Sequence, residues 1–412
     1  MSYHGQTLSS LSRHFASLNQ ERQMNQALLE LPVTQPHPAD RCAFDIGWDH
    51  ARHGLVPPAE LLLPSTPVCQ GWMAAKAVFG RRTLASTRHT RQWMALRLRA
   101  WREGAVFDDQ AVTPNYLGQI ETAHCPVLRT ALGGAAGSPD AAVIERINVQ
   151  AGYAAGNLVM MSAKAASARR GVDLLQATRL ARHGETTGES TNGLHASAWW
   201  RLAALLSFAQ VLPLAEAAAL PMAMMPPNRV RLLNAAQGLQ ALLTQTFLSK
   251  GWSTRCLALA QKLPAHTLRQ DFNLFVGAMA PRVLEADEAP RARRLALEDA
   301  WLHERVQRRW QHLILSLGAA GTQMLLNVAL DMPWPGLLVQ AHSTEQATEC
   351  WGLTATLPTP ADGIPAASRA GLPSRVTNRV TGSSGNSAAR PRTNRSSRPE
   401  RAQPPAAPRT HA

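Results

Sequence analysis

Lysine, tyrosine and charged residues in general are scarce in this sequence. The chain has only three tyrosines beside 11 tryptophans and eight phenylalanines, and lysine is a small minority of its 42 basic residues. Charged residues make up 17% of the chain, below the usual share, whereas the apolar 45% is ordinary for a globular protein. We interpret the excess of arginine and alanine as the coding bias of a GC-rich genome. The 412 residues can form two or three domains with a sizeable core.

Cysteine is also scarce, and its positions are scattered. No two cysteines have the spacing of a zinc knuckle, and their odd number does not suggest a disulfide framework. The N-terminus has no apolar core flanked by a cleavage pattern, so no signal peptide is expected. Both observations favour a cytoplasmic location. The five positions are Cys42, Cys69, Cys125, Cys256 and Cys350.

One apolar run, Leu202 to Met225, is long enough to raise the question of a membrane span. Pro213 and Pro221 interrupt the run, and Glu216 would lie near the middle of a bilayer, which costs roughly several kcal/mol. The sequence therefore predicts two buried helices joined at a proline, and no membrane association.

Acidic residues are nearly missing from the C-terminal segment. From residue 363 onward nine arginines stand against Glu400 alone, so this segment carries +8 of the net charge of +14. The composition of residues 356–412 predicts a disordered tail, and an arginine-rich tail attracts polyanions through counterion release. Nucleic acid is the expected polyanion, and a merely solubilising extension is the competing interpretation. The remaining +6 is ordinary for a soluble protein and is only a weak argument for DNA binding.

The first third of the chain is predicted to be helical. Residues 1–40 are expected to form an amphipathic helix and a linker, and residues 41–112 a helical segment. Asp45, Asp49, His50 and His53 share a helical face and could bind a metal, although a polar face beside a core tryptophan explains the pattern equally well.

Residues 70–104 are typical of two helices joined around Gly80. The second helix, His89 to Glu103, interleaves tryptophan with arginine, and its basic face could lie along a phosphate backbone. Arg91 and Arg97 are the predicted nucleic-acid contacts on this helix. The alternative is a surface helix whose arginines are only solvated.

Residues 113–175 contain the most unusual order of residues in the chain. Two short apolar runs, at residues 143–147 and 158–161, are separated by glycine and asparagine, which predicts a β-hairpin. An alanine-rich basic segment follows, and it predicts a helix with Ser162 near its N-cap. Lys164, Arg169 and Arg170 on this segment are further predicted nucleic-acid contacts.

This order resembles the divergent HNH, or ββα-metal, endonuclease pattern over about residues 124–170. The matching stretches are Cys125-Pro126-Val127, Glu145-Arg146-Ile147, Gly152-Tyr153 with Gly156-Asn157-Leu158, and the helix that begins after Ser162. The resemblance implies a small ββα element in which a strand histidine activates water. It also implies a divalent metal that neutralises charge on the scissile phosphate of DNA.

The sequence departs from that pattern at the positions that carry the chemistry. Arg146 stands where the resemblance implies the activating histidine, and a guanidinium cannot accept a proton but can hold a phosphate. Glu145 replaces the usual Asp and keeps a carboxylate that can bind a hard cation. Ala166 stands where the helix usually carries Asn, and no second cysteine follows Cys125 at a two-residue spacing.

As a nuclease, the chain would use Glu145 and Asn157 to hold Mg²⁺ or Mn²⁺. Arg146 would clamp phosphate, and His124 would be the only nearby candidate base. These three catalytic residues and two metal ligands are the predicted site.

Each of these residues also has a purely structural interpretation. Gly152, Gly156 and Asn157 could supply left-handed backbone geometry in a hairpin loop. Glu145 could be a solvated charge on a strand, and His124 a turn residue.

The second half of the chain predicts packing rather than chemistry. Residues 176–196 are expected to be a polar linker, and residues 197–355 a helical domain able to bind a protein partner. Its clearest helix is predicted from Leu295 to Leu317. The expected fold is mainly α, multi-helical, with a small ββα element and a disordered basic tail. The expected function is DNA association, either as a metal-dependent endonuclease or as a non-catalytic protein with a degenerate HNH-like scaffold.

Overall fold

Four ranges of the chain are described by the computed structural model, residues 38–135, 137–286, 288–332 and 344–353. The amphipathic helix predicted within residues 1–40 falls almost entirely outside these ranges, and so does the tail predicted at residues 356–412.

Helices dominate the described residues, and a two-stranded antiparallel sheet is the only sheet among them. The predicted fold class, mainly α, is confirmed in this respect. A 3₁₀ turn at Ala59–Leu61 follows the first helix. The helices are α1 Pro38–Arg52, α2 Pro67–Phe79, α3 Arg88–Arg102, α4 Pro114–Ile120, α5 Ala163–Ala168, α6 Leu174–Thr187, α7 Ala196–Phe208, α8 Leu214–Ala219, α9 Ala235–Leu248, α10 Trp252–Gln261, α11 His266–Glu285, α12 Pro290–Ala300, α13 Glu304–Leu330 and α14 Thr344–Ala347.

The predicted hairpin is present, with β1 at Ala142–Arg146 and β2 at Leu158–Ser162. Glu145 pairs with Val159 across the ladder. Helix α5 begins directly after β2, and the Ser162 hydroxyl caps it by accepting a hydrogen bond from the Ala165 amide at 3.3 Å. The order strand, loop, strand, helix is therefore observed. This order alone identifies no family.

Strand β2 is buried on both faces, since each of its residues is buried, whereas every residue of β1 is only partly buried. Leu158 packs with Leu96 and Leu117 of α3 and α4 on one side. Val159 and Met161 belong to the core of the later helices on the other side. Since neighbouring strand residues point to opposite faces, β2 joins two apolar cores. A sequence run without alternation, such as that of β2, is the pattern of a strand covered on both sides.

The two helices predicted over residues 70–104 are confirmed as α2 and α3. Thr87 caps α3 by accepting a hydrogen bond from the Thr90 amide at 3.1 Å. Thr113 caps α4 in the same way through the Tyr116 amide at 3.2 Å. Both hydroxyls satisfy amides that lack a partner within the first turn of a helix.

The expected linker at residues 176–196 is corrected over its first part, which is helix α6. Asp173 caps this helix by accepting a hydrogen bond from the Gln176 amide at 2.7 Å. Ala177 and Ala181, four residues apart, are fully buried against the core. The buried face of this helix consists of Ala177, Ala181 and Gly184, so its apolar periodicity is weak in the sequence.

The helix expected from Leu295 to Leu317 is also corrected, because the chain turns between Ala300 and Glu304. Trp301 lies in this turn, fully buried, and its indole nitrogen donates a hydrogen bond to the Thr244 hydroxyl at 2.8 Å. The predicted pair of helices joined at a proline is observed, since α7 and α8 are joined at Pro213, but only α7 is buried, from Ala198 to Phe208. In α8 only Ala217 and Ala218 are buried, and Glu216 is exposed.

Within the described ranges, Glu304–Leu330 is the one helix whose length and composition would allow a membrane crossing, with a mean hydropathy of 1.6 over its most apolar window. Core helices of water-soluble proteins have the same properties. Gly318 has φ 69° and ψ 177°, so the backbone is kinked in the middle of this helix. Trp310 and Leu313 are fully buried in the protein core. The helix is therefore buried along one face, whereas Leu315 and Met324 are exposed, and one third of its most apolar stretch is buried.

Candidate functional site

Glu145, the predicted metal ligand and catalytic carboxylate, is held by α3. Its two oxygens accept hydrogen bonds from the two terminal nitrogens of Arg99 at 3.0 and 3.1 Å. Arg99 also donates from Nε to Glu103 at 2.9 Å. The side chain of Glu145 is only 22% exposed. A two-pronged arginine contact of this kind is among the stronger ion pairs in proteins, and here it fixes β1 to α3.

Arg146, the predicted phosphate clamp, is engaged with the hairpin loop. Its Nη1 donates to the carbonyl oxygens of Val149 and Ala151 at 3.1 and 3.0 Å. Its Nη2 donates to Glu103 at 3.0 Å, and the guanidinium lies 4.6 Å from the centre of the Tyr153 ring. A phosphate could reach this guanidinium only by displacing some of these partners.

Glu103 and Tyr153 connect the end of α3 to the same loop. The Tyr153 hydroxyl donates to Glu103 at 2.7 Å. Burial raises the pKa of Tyr153, and the hydrogen bond to Glu103 raises it further. Burial also tends to raise the pKa of Glu103, but the hydrogen bonds from Tyr153 and Arg99 and the charges of Arg99 and Arg146 outweigh it, so the pKa lies below its ordinary value. Glu103 is therefore a charged acceptor at neutral pH.

Asn157, the second predicted metal ligand, is fully buried and serves the loop backbone. Its Oδ1 accepts from the Asn148 amide at 2.8 Å, and its Nδ2 donates to the carbonyls of Asn148 and Gly152 at 3.0 and 2.9 Å. The backbone of Asn157 is not left-handed, so one structural interpretation of this residue is corrected. Gly156 does have a positive φ of 89°, as expected for a hairpin loop.

The predicted divalent-metal site does not fit these contacts. Glu145 carries Arg99 on both oxygens, and the only side-chain oxygen of Asn157 accepts from a backbone amide. Arg146 and Arg169 add positive charge around Glu145, which opposes the approach of a cation. Within the described ranges no three His, Cys, Asp or Glu side chains are grouped as a metal site.

His124, the predicted base, lies apart from these residues. In the described part of the chain, no hydrogen bond or ion pair joins it to Glu145, Arg146 or Asn157. It lies instead on the wall of a cavity that Arg294 of α12 also lines. The structure thus brings Glu145 and Arg146 to one cluster around α3, and places His124 in another environment.

Two of the predicted nucleic-acid contacts are buried. Arg97 is 7% exposed, forms an ion pair with Asp49, and stacks 4.7 Å from the centre of the Trp93 ring. Arg169 is 6% exposed and donates to the Ile147 carbonyl at 3.1 Å. Both arginines hold the structure together, so the prediction that Arg97 and Arg169 contact nucleic acid is corrected.

Arg91, Lys164 and Arg170 are exposed, as a surface contact requires. Lys164 and Arg170 line one open cleft together with Ser138, Ser167 and Asn192. In the described ranges neither cation has a carboxylate partner. The cleft therefore combines two unneutralised positive charges with hydroxyl and amide groups beside the helix of the hairpin element.

The polar face of α1 is also explained by internal contacts. Asp49 pairs with Arg97, and the Nδ1 atom of His50 is 2.8 Å from the Ile46 carbonyl. Burial lowers the pKa of His50. These contacts match the interpretation of a polar helix face rather than a metal site.

Sequence reasoning missed the charged contacts between the hairpin element and α12. Arg129 holds Asp299 through two hydrogen bonds of 2.8 Å and Glu298 at 3.1 Å, although 169 residues separate Arg129 from Glu298. No short-range pattern marks such a pair. The loop of the hairpin is likewise tied to Trp351, whose carbonyl accepts from the Gly152 amide at 2.6 Å.

No known family model, curated protein or solved structure matches this chain.

Proposed function

We propose that this chain binds DNA through the surface around α5, and that the hairpin element is a non-catalytic scaffold for that surface. The observation that carries the proposal is the cleft lined by Lys164 and Arg170. Two cations without a carboxylate partner in the described ranges flank hydroxyl and amide groups there. Lysine, arginine, serine and asparagine side chains are the usual contacts to phosphate oxygens.

Charge outside the cleft supports the same proposal. The whole chain carries +14, and more than half of this excess comes from the arginines after residue 363. We assign these arginines to the same polyanion, as a second and sequence-independent contact. We also propose that the protein is cytoplasmic and that the helices after residue 196 bind a protein partner. Both proposals rest on the sequence alone.

The scaffold role rests on the contacts of Glu145, Arg146 and Asn157. Each of the three uses its polar atoms to join α3, the two strands and the loop. Side chains engaged in this way can position a surface, but they have few polar atoms left to bind a substrate.

The nuclease alternative is supported by the order strand, loop, strand, helix, and it needs a different arrangement of side chains. Glu145 would have to release Arg99 before it could hold Mg²⁺ or Mn²⁺. A plasmid-nicking assay with each metal tests this alternative in the intact chain, in Glu145→Ala and in Asn157→Ala. Metal-dependent nicking that is lost in Glu145→Ala while the variant stays folded would replace the scaffold proposal.

DNA binding is tested by fluorescence anisotropy of a labelled duplex at two salt concentrations. Lys164→Glu/Arg170→Glu in the full chain is compared with Lys250→Glu/Lys262→Glu, a control with the same change of charge on exposed residues outside the cleft. We expect the cleft variant to bind at least about tenfold more weakly, with a salt slope smaller by about 2. An equal loss of DNA affinity in both variants would indicate general charge attraction rather than a site. No loss of affinity in either variant would show that the cleft does not bind DNA.

A further inference from the structure

A second cavity lies between the hairpin element and α12, away from the α5 cleft. Its volume is about 270 Å³, and its walls come from the loop after α4, from β2, from residues 224–228 and from α12. We call it the α12 cavity. Arg99, which holds the Glu145 side chain, does not line this cavity, and neither does any residue of the α5 cleft.

The floor of the α12 cavity is apolar. Ile120, Val159, Met160 and Met224 line it, and each is at most 3% exposed. Two of the four are methionines, whose flexible and polarisable side chains adapt to ligands of different shape. The floor can therefore take up an apolar group of small size.

The rim of the α12 cavity is positively charged. Arg291 is exposed and donates one hydrogen bond, of 2.9 Å, to the Arg129 carbonyl. Arg294 is half exposed and donates from Nε to Glu298 at 2.9 Å, so its two terminal nitrogens keep donors to spare. Within the described ranges Arg291 has no carboxylate partner.

The acidic residue at the cavity is already neutralised. Glu298 is 3% exposed and accepts from Arg129, from Arg294 and from the Met225 amide. Both oxygens of Glu298 are therefore occupied by these donors, and the carboxylate is not free to bind a cation. These contacts disfavour a cation in the cavity, and the positive charge of Arg291 at the entrance favours an anion.

The placement of the arginines on α12 points in the same direction. Arg291, Arg293 and Arg294 lie in the first turn or just after it, and this turn has no acidic residue. Cations near a helix N-terminus are disfavoured by the helix dipole, and an anion there offsets the repulsion. His124 and Asn228 also line the cavity, and their side chains make no hydrogen bond in the described part of the chain.

We propose that the α12 cavity binds a small organic anion, with its apolar body on the methionine floor and its carboxylate or phosphate at Arg291 and Arg294. This inference does not depend on DNA binding, because the cavity and the α5 cleft have no lining residue in common.

Isothermal titration calorimetry on the full chain tests the proposal with two probes, phenyl phosphate and benzoate. Inorganic phosphate and phenol are titrated separately as the two halves of the phosphate probe. We expect at least one of the organic anions to bind with a Kd on the order of 1 mM or lower. We expect inorganic phosphate and phenol to bind at least about tenfold more weakly, because each lacks one of the two interactions. Whichever probe binds identifies the preferred anionic group.

Arg291→Glu should weaken the binding of that probe by at least about tenfold, and Arg291→Ala by a smaller factor. Arg305→Glu, the same change at an exposed arginine outside the cavity, should leave it unchanged. Thermal denaturation confirms that each variant is folded. The proposal is overturned if neither probe binds at about 10 mM, if inorganic phosphate binds as tightly as phenyl phosphate, or if Arg291→Glu and Arg305→Glu weaken binding equally.

Discussion

The side-chain amide of Asn157 binds the backbone of Asn148 twice. Its Oδ1 accepts a hydrogen bond from the Asn148 backbone nitrogen at 2.8 Å, and its Nδ2 donates one to the Asn148 carbonyl oxygen at 3.0 Å. The Asn148 side chain in turn donates to the carbonyl of Ala209 at the end of α7, at 3.1 Å. One buried amide thus shapes the hairpin loop, and the shaped loop reaches the later helices.

Replacing Asn157 by alanine should therefore destabilise the fold. The change removes three hydrogen bonds and leaves backbone groups buried without a partner, which costs about 3 kcal/mol in the free energy of unfolding. Urea denaturation measures this quantity. The control is Asn228→Ala, at an exposed asparagine without a hydrogen bond in the described ranges, which should change stability by less than about 0.5 kcal/mol. A loss in Asn157→Ala no larger than in the control would contradict the scaffold role.

Trp351 makes the C-terminal end of the described chain part of the same loop. It is fully buried, its Nε1 donates to the Ala155 carbonyl at 3.0 Å, and its own carbonyl accepts from the Gly152 amide. Trp351→Ala should cost about 3–5 kcal/mol, the usual loss for a buried aromatic side chain. Leu353→Ala, at a residue 45% exposed, is the control and should cost less than about 1 kcal/mol. The two variants are compared by denaturation, and equal midpoints would show that residue 351 does not anchor the loop.

The lowered pKa of Glu103 predicts a pH dependence of stability. A carboxyl group whose pKa is lower in the folded state stabilises the fold above its ordinary pKa, and this contribution is lost as the pH falls through the folded value. Glu103→Gln cannot titrate. The difference in the free energy of unfolding between the native protein and this variant, which we call the stability gap, should therefore be largest near neutral pH. It should become smaller between about pH 5 and pH 3.

Urea denaturation at several pH values measures this gap. The control is Glu189→Gln, at an exposed carboxylate that has no ion pair in the described ranges, and its gap should stay close to zero throughout. A gap for Glu103→Gln that stays constant or widens on acidification would show that Glu103 is not a charged partner of Arg99 and Arg146.

Local patterns predicted the secondary structure well because they act over a few residues. Ser162 signalled the start of α5 by the chemistry of helix capping, and the apolar runs around the loop signalled the hairpin. The extent of α6 was not predicted, because its buried face consists of the small residues Ala177, Ala181 and Gly184.

The partners of the charged residues could not be predicted in the same way. Arg99 meets Glu145 46 positions later in the chain, and Arg129 meets Asp299 170 positions later. Only tertiary packing determines such pairs, and they decide whether a carboxylate is a ligand or a structural partner. The residues of the candidate site were therefore visible in the sequence, whereas the partners that engage them were not.

Gly156 allows a test of the loop geometry that separates backbone strain from steric contact. Its φ is 89°, and a Cβ atom there would lie 2.5 Å from Cδ of Arg231. Arg231 cannot move away freely, because its guanidinium donates to the carbonyls of Gln346 and Ala347 at 3.2 and 2.9 Å. Gly171 has a similar φ of 74°, but a Cβ atom there would meet nothing within 4 Å.

Gly171→Ala should therefore cost only the strain of a left-handed alanine, about 1 kcal/mol. Gly156→Ala should cost this strain and a further 1–3 kcal/mol, roughly, for displacing Arg231 from its two carbonyl partners. Denaturation of both variants gives the difference directly. The double variant Gly156→Ala/Arg231→Ala lacks the side chain that blocks the new methyl group. Arg231→Ala should therefore lower the free energy of unfolding less in the Gly156→Ala protein than in the native protein. If the two glycine variants lose the same stability, Arg231 does not restrict the loop at this position, and the positive φ alone accounts for the glycine.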